Sequence, residues 1–319
     1  MKFLICGIGS IGLRHLRNLK LLGKNDIIVY STGKSVMIGI KEELEGLKIF
    51  NSLEEALKQK PDVCMITNPT SMHTNIAIKA ATAGCHLYIE KPLSHTLKDL
   101  DVLQNIVDEK KLTTFITYQF RYHPHINKLK DIFETSKDKY GEPLYVTTEW
   151  SEYLPDWHPW EDYKQGYSAR KDLGGGVLLT QIHPLNYLSY IFGNINEVKI
   201  NKISTQTLGI EVDDIADLLI SFKNGMSGHV HIDFLQKPRV HTMKIVTSKG
   251  RFEWDYHQNS LFFVDMNSQK KYLINEGFER NDMFLSMLKD FIECVEIERR
   301  TRFNLDEAIN ELEFLVERV

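Results

Sequence analysis

The segment CHLYIEKP, residues 85–92, opens as an apolar run and ends in a carboxylate, an amine and a proline. At the end of a buried strand, Lys91 could polarise a carbonyl or help to take a hydroxyl proton. Composition alone would read Glu90 and Lys91 as an ordinary surface pair. A second group with chemical potential is His183, in GGGVLLTQIHPLNY. Gly174 to Gly176 read as a loop, and a helix from Val177 to Ile191 is expected to project His183 about two turns in. An imidazole titrates near pH 6.5 or so, which suits proton transfer close to neutrality. A histidine before a proline also reads as packing or as a cap.

Residues 7–12 read GIGSIG. Gly7 permits a tight turn, Gly9 lets the backbone approach a pyrophosphate, and Gly12 lets helix and strand pack closely. Ser10 and Ile11 open the helix, whose free N–H groups and partial positive charge suit phosphates. Glycine-rich turns are common, so the weight comes from context: the motif follows a first apolar run and opens a helix. An acidic residue about 20 positions on would bind a free ribose 2′-OH. This chain has Tyr30-Ser31-Thr32-Gly33-Lys34-Ser35 there instead. Ser31, Thr32 and Lys34 would suit a 2′-phosphate, which favours NADP(H) and leaves NAD(H) open. The alternative is a solvated turn that reads nothing.

The elements that must position these groups follow from periodicity. Up to about residue 120, short buried runs (3–6, 27–30, 63–66, 86–89 and 113–118) alternate with helical spacing (11–22, 75–83 and 97–107). Ser52 and Glu55 form a capping-box pattern before a further short helix. That alternation is the signature of a doubly wound α/β domain with a parallel sheet. Beyond Arg121, a helix at 126–133 leads into strand signals at 144–150, 198–204, 215–222, 228–234, 242–247, 251–255 and 261–265. They read as a mostly antiparallel sheet. Residues 283–296 and 305–318 read as closing helices. The expected division is 1–120 for a dinucleotide-binding domain and 121–319 for a substrate and oligomerisation domain. The closing helices should pack back on the first domain.

Composition bounds the class. The 319 residues are 42% hydrophobic and 26% charged, with a formal net charge of −4. Those values suit a globular protein and give no reason to expect nucleic acid. No segment approaches the roughly 20 apolar residues of a membrane helix. Cys6, Cys64, Cys85 and Cys294 lack metal-ligand spacing, so no metal is expected. They read as buried free thiols of a cytoplasmic, reducing compartment.

The order GIGSIG, TNPTSMH (67–73), YIEKP (88–92) and GGG…H (174–183) resembles the Gfo/Idh/MocA family of oxidoreductases over nearly the whole chain. The resemblance implies a Rossmann domain joined to an open-faced α/β domain. It implies hydride transfer between a nicotinamide and a hydroxyl or carbonyl carbon of a polyol, keto sugar or nucleotide sugar. It assigns Lys91 to the reacting oxygen and His183 to acid–base work. Many members carry Asp where this chain has Thr180, and another where it has Asn186. Neither residue here can stabilise an imidazolium by charge.

Further residues are candidates around the cleft that the resemblance implies. Thr67, Asn68 and Pro69 would line the cofactor with His73, Glu90, Lys91 and Gln119. His73 beside them reads as a helix-surface residue and not a catalyst. Arg121 could reach substrate or make an interdomain salt bridge. Trp157 lies in YLPDWHPWEDY, which could be a lid on a sugar face or a loop against a neighbouring subunit. Arg170, with Lys171, could bind an anionic group or be a solvated pair. Thr180 and His183 complete the substrate set. A homodimer or homotetramer is expected, formed through a broad apolar face of the antiparallel sheet, with strands 228–234 and 242–247 as candidates. Two other functions stay open: a non-catalytic, cofactor-binding regulator on the same fold, and a reductase of a non-sugar substrate.

Overall fold

A computed structural model describes residues 1–33, 40–274 and 278–316. The chain forms two compact units. One comprises Met1–Thr117, Asp172–Gly174 and the chain from Phe284 on; the other comprises Tyr118–Lys171 and Gly175–Met283.

The first unit runs β1 (Phe3–Cys6), α1 (Ser10–Leu21), β2 (Ile27–Tyr30), α2 (Ile40–Glu43), β3 (Lys48–Phe50), α3 (Leu53–Leu57), β4 (Val63–Ile66), α4 (His73–Thr82), β5 (His86–Glu90), α5 (Leu100–Lys110) and β6 (Thr114–Thr117). Its six strands are all parallel, in the order β3-β2-β1-β4-β5-β6. β1, β4 and β6 are buried along their whole length, as a sheet covered on both faces requires. β3 gave no strand signal in the sequence, being a three-residue, mostly exposed edge. α3 begins where Ser52 accepts the N–H of Glu55 at 3.4 Å.

The second unit holds α6 (Pro124–Thr135), α7 (Lys137–Tyr140), β7 (Pro143–Ser151), α8 (Val177–Thr180), α9 (His183–Phe192), β8 (Ile195–Ile203), β9 (Ile215–Phe222), β10 (Ser227–Asp233), β11 (Val240–Thr247), β12 (Gly250–Asp255), β13 (Ser260–Asp265) and β14 (Lys270–Ile274). Among the described residues these strands form one eight-stranded sheet, β14-β13-β12-β11-β7-β10-β9-β8. Only the β7–β10 pair is parallel. α10 (Arg280–Glu296) and α11 (Leu305–Leu312) close the chain. Asn304 and Glu307 form a reciprocal capping box at the start of α11. In the first unit, Thr301 and Leu305 bond Thr114 of β6, at 2.6 and 3.0 Å.

Three expectations need correction. The helix expected from Val177 to Ile191 is two helices, broken at Gln181 and Ile182, so His183 starts α9 and does not lie two turns inside a helix. Pro184, which has no N–H to give, fits the first turn of the second helix. The mostly solvent-facing side of the second sheet is not broadly apolar. Leu219 and Tyr145 are exposed there, at 58% and 40%, but Thr147, Glu149, Asp217, His229, His231, Lys244 and Arg251 share the alternating positions. The third concerns His73 and is taken with its surroundings below.

Candidate active site

The glycine loop joins β1 to α1 at the carboxyl edge of the parallel sheet. Strand order reverses between β1 and β4, the switch point at which ligands bind in open α/β sheets. Gly7 has φ of +93°, and a side chain there would press on the Asn68 backbone and amide at 3.0 Å. At Gly12, a Cβ would meet the Gly7 carbonyl oxygen at 2.3 Å, so the helix can approach the strand only without one. Gly9 is the opposite case: nothing lies within 4 Å of where its Cβ would stand. Gly9 caps α1 with no side-chain bond, and no acidic residue occupies the first turn, where Ser10 is exposed and Ile11 half-buried. An open, uncapped helix start with no competing carboxylate is the chemistry that an anionic diphosphate needs.

Thr67, after β4, donates its hydroxyl to the carbonyls of Cys6 and Gly7, at 3.0 and 2.7 Å, and so ties the two loops together. Asn68 and Pro69 follow it, half-buried. After β2, Ser31 accepts the Gly33 N–H at 3.2 Å and Thr32 is exposed. Lys34 lies outside the described residues.

His73 is not on the helix surface. It starts α4 and is 1% exposed, with Nδ1 at 2.9 Å from the Pro92 carbonyl and Nε2 at 2.8 Å from that of Asn68. Carbonyls only accept, so a neutral ring satisfies one of them and a protonated ring both. Burial lowers the pKa of His73, while the two carbonyls and the nearby Glu90 charge push the other way. The histidine straps the loop after β4 to the loop after β5.

Glu90 also turns inward. It is 8% exposed, and its Oε1 lies 2.8 Å from Nε2 of His15, a wholly buried residue of α1. Burial alone would raise the Glu90 pKa. The His15 hydrogen bond, the charges of His15 and Lys91, and a bond from Thr117 outweigh it, and the net direction is down. Lys91 is half-buried, and its backbone N–H donates to the Thr117 hydroxyl at 3.3 Å. The Glu90 carboxylate is therefore held in the core, and Lys91 follows it at the strand end. His15 carried a weak signal in the sequence, three residues after the last glycine and among the apolar positions of α1.

In the second unit, His183 is 2% exposed and surrounded by rings. Trp150 of β7 stacks on it at 5.3 Å between centroids and 22° between planes, and Trp150 also stacks on His241 at 4.4 Å and 5°. Phe120 and Tyr118 meet its edges at 5.2 and 5.6 Å. Gln119 contacts His183 Nε2 through its amide nitrogen at 3.1 Å, so this imidazole nitrogen accepts. Arg121 donates from Nε to Asn186 at 2.8 Å and lies over the Tyr190 ring. Asn186 is thus occupied as an acceptor, and Thr180, the last residue of α8, is buried.

Gly176 precedes α8 with φ of +107°, and a Cβ there would strike the Asp213 carboxylate at 2.6 Å. Asp213 accepts the Leu178 N–H at 2.9 Å, a capping role that the sequence did not signal. Burial raises the Asp213 pKa and that bond opposes the rise. Trp157 is half-buried with its edge on Phe234, and Arg170 is half-buried.

Two family models match the chain: an oxidoreductase family with an NAD-binding Rossmann fold over residues 1–118, and the GFO/IDH/MocA C-terminal domain over residues 127–253. A myo-inositol 2-dehydrogenase of Thermotoga maritima is 26% identical, over 92% of this chain and 88% of that protein. A D-xylose 1-dehydrogenase (NADP(+)) of Haloferax volcanii is 21% identical, over 97% and 94%. The solved WlbA dehydrogenase of Bordetella pertussis, in complex with NADH and UDP-GlcNAcA, has the same fold, with a TM-score of 0.80, 19% identity and coverage of 99% and 94%. No helix among the described residues is long and apolar enough to cross a membrane. From the glycine loop to the ring-lined histidine, this chain belongs to the Gfo/Idh/MocA family of oxidoreductases.

Proposed function

We propose that the protein is an NAD(P)-dependent dehydrogenase or reductase of a sugar-like substrate: a polyol, a keto sugar or a nucleotide sugar. The observation that carries this reading is the open, uncapped start of α1 at Gly9, on the same sheet edge as Lys91. When bound there, the nicotinamide cofactor gives or takes the hydride. The protein's part is then to hold charge and move a proton at the substrate's reacting oxygen. Lys91 holds the charge and His183 moves the proton. Gln119, Arg121, Trp157, Arg170 and Thr180 are the further residues proposed to meet cofactor or substrate.

NADP(H) is the favoured cofactor, because Ser31 and Thr32 follow β2 where a carboxylate would read a free 2′-OH. The buried free thiols of Cys6, Cys64, Cys85 and Cys294 suit a reducing, cytoplasmic setting. Self-association through the polar sheet face around His229 and His231 belongs to the same proposal. Light scattering that gives a monomer at micromolar concentration would remove it.

The reading is tested by calorimetric titration of NADPH and NADH at fixed salt, then by oxidation of each against a panel of keto sugars and nucleotide sugars. Turnover on a panel member with tighter NADPH binding is expected. Tighter NADH overturns the cofactor preference. Tight cofactor binding with no turnover on any member favours the regulator, which the uncharged Thr180 and Asn186 beside His183 would fit.

A further inference from the structure

We propose that Gln119 is a positioning residue that sets the tautomer of His183: its amide N–H donates to Nε2, which places the ring hydrogen on Nδ1 and leaves Nε2 as the basic nitrogen. This role for Gln119 rests on the reading of His183 as the residue that moves a proton.

The rings around His183 do not distinguish one of its nitrogens from the other. Trp150 stacks on its face, and Tyr118 and Phe120 meet it at their edges. Such contacts fix the plane of the imidazole and fill space, but they hold no hydrogen at a chosen ring atom. Gln119 can do so. It stands between Tyr118 and Phe120 in the chain, is 7% exposed, and brings its amide nitrogen to 3.1 Å from Nε2 of His183. An amide nitrogen only donates, so in the neutral ring Nε2 must carry the lone pair. A hydrogen on Nε2 would point at the amide hydrogens instead of at an acceptor.

The amide is carried by a supported segment. Gln119–Tyr122 is a 3₁₀ turn, in which the Arg121 N–H donates to the Tyr118 carbonyl at 3.1 Å and the His123 N–H to the Phe120 carbonyl at 3.0 Å. The same turn meets α9 a second time, three residues beyond His183, where Arg121 donates from Nε to Asn186 at 2.8 Å. Asn127 donates to the Arg121 carbonyl at 3.1 Å and accepts the Tyr190 hydroxyl at 2.9 Å. Residues three apart lie on one face of a helix, so two side chains of one turn grip one face of α9. The Arg121 bond holds the register of the helix, and the Gln119 bond addresses the ring. A carboxylate in the place of this amide would only accept. It would draw a hydrogen onto the nitrogen it faced and favour the imidazolium. Gln119 orders the ring without adding a charge.

The test needs no substrate. In protein labelled with nitrogen-15 histidine, a two-bond proton–nitrogen correlation at about pH 8.5 shows which nitrogen of a neutral imidazole carries the hydrogen. The His183 signal is the one that His183→Gln removes. The wild type should show the hydrogen on Nδ1. Gln119→Glu presents only acceptors and should move it to Nε2. Gln119→Met keeps the length, removes both polar atoms and should leave a mixture of the two forms, with an unchanged circular dichroism spectrum. A wild-type ring with its hydrogen on Nε2 overturns the inference. So does a tautomer that is the same in the wild type and in whichever of the two variants folds. Failure of the underlying reading looks different: the tautomer would follow residue 119, and His183→Ala would keep its turnover. In that case Gln119 still positions the ring, and the proton-moving role of His183 falls.

Discussion

The two candidate histidine sites hold their side chains by different means. In the first unit, buried imidazoles face groups that carry negative charge or only accept: His15 meets a carboxylate, and His73 meets two carbonyls. In the second unit they face rings. His183 and His241 each stack on Trp150, and Trp254 gives its indole hydrogen to His125 at 3.1 Å. Burial with little compensation pushes His123 down to about 3 and His125 to about 4, and His241 well below its ordinary range. The first region thus holds the Glu90 carboxylate ionised in the core. The other packs the neutral rings of His123, His125 and His241 among aromatic side chains. On the proposed function, Lys91 would follow the first arrangement and His183 would sit within the second.

Lys91→Ala should be the most damaging single change. Loss of such a group typically costs 10²–10⁴-fold in turnover, about 3 to 5 kcal/mol of barrier. NADPH affinity by calorimetry should stay within a few-fold, since the glycine loop is untouched. His183→Ala should cost less, about 10²-fold, because no carboxylate at Thr180 or Asn186 supports an imidazolium. The double variant should fall well short of the product of the singles, as groups that act on one oxygen are not additive. A larger loss for His183→Ala than for Lys91→Ala in kcat/KM would reverse the comparison.

Smaller again is the effect of the stack. Trp150→Leu removes the ring from His183 and His241 together, and aromatic pairs contribute about 0.5–1.5 kcal/mol beyond area. Turnover should fall about three- to tenfold with KM little changed, and Trp150→Phe should recover part of it. Equal rates for the Leu and Phe variants would mean that the stack packs the core and does not orient His183.

How much of this was legible differs between the same two regions. The parallel sheet declares itself because each strand is a continuous apolar run and the helices between have helical spacing. The three glycines of GIGSIG each have a separate structural reason that the sequence alone supplies. The Glu90–His15 bond could not: the two residues are 75 positions apart, and nothing in either segment names the other. His73 was misread for a related reason. A histidine that starts a helix looks solvated until the loop carrying Pro92 is folded over it. In the second unit, Pro184 hinted at the helix break. The Trp150 stack draws on residues 150, 183 and 241, from three separate elements, and its only sequence signal is the density of rings. Lys48–Phe50 carries no strand signal because an exposed edge strand needs no apolar pattern. The polarity of the free sheet face is, in contrast, written in the alternating positions of HVHID and VHTMKI.

The smallest effect separates the two sides of the second sheet by pH. On the buried side, His123 titrates near 3 in the folded protein against about 6.5 unfolded. The unfolded chain therefore binds the extra proton first. The stability due to keeping this ring neutral is complete above about pH 6.5 and is lost as pH falls toward 3. On the open side, His231 lies 3.2 Å from Asp233 and 2.8 Å from Asp217, and those carboxylates raise it to about 9. Here the folded protein binds the proton more tightly, so the stability is complete below about pH 6.5 and is lost as pH rises through 9. Urea midpoints measured from pH 5 to 10 should accordingly fall away on both sides of a maximum near pH 6 to 7, other groups contributing to each slope. His231→Gln should flatten the alkaline slope alone, and the change should shrink in high salt because the cluster is half-exposed. An alkaline slope identical in wild type and variant would show that the carboxylates around His231 do not hold its proton in solution.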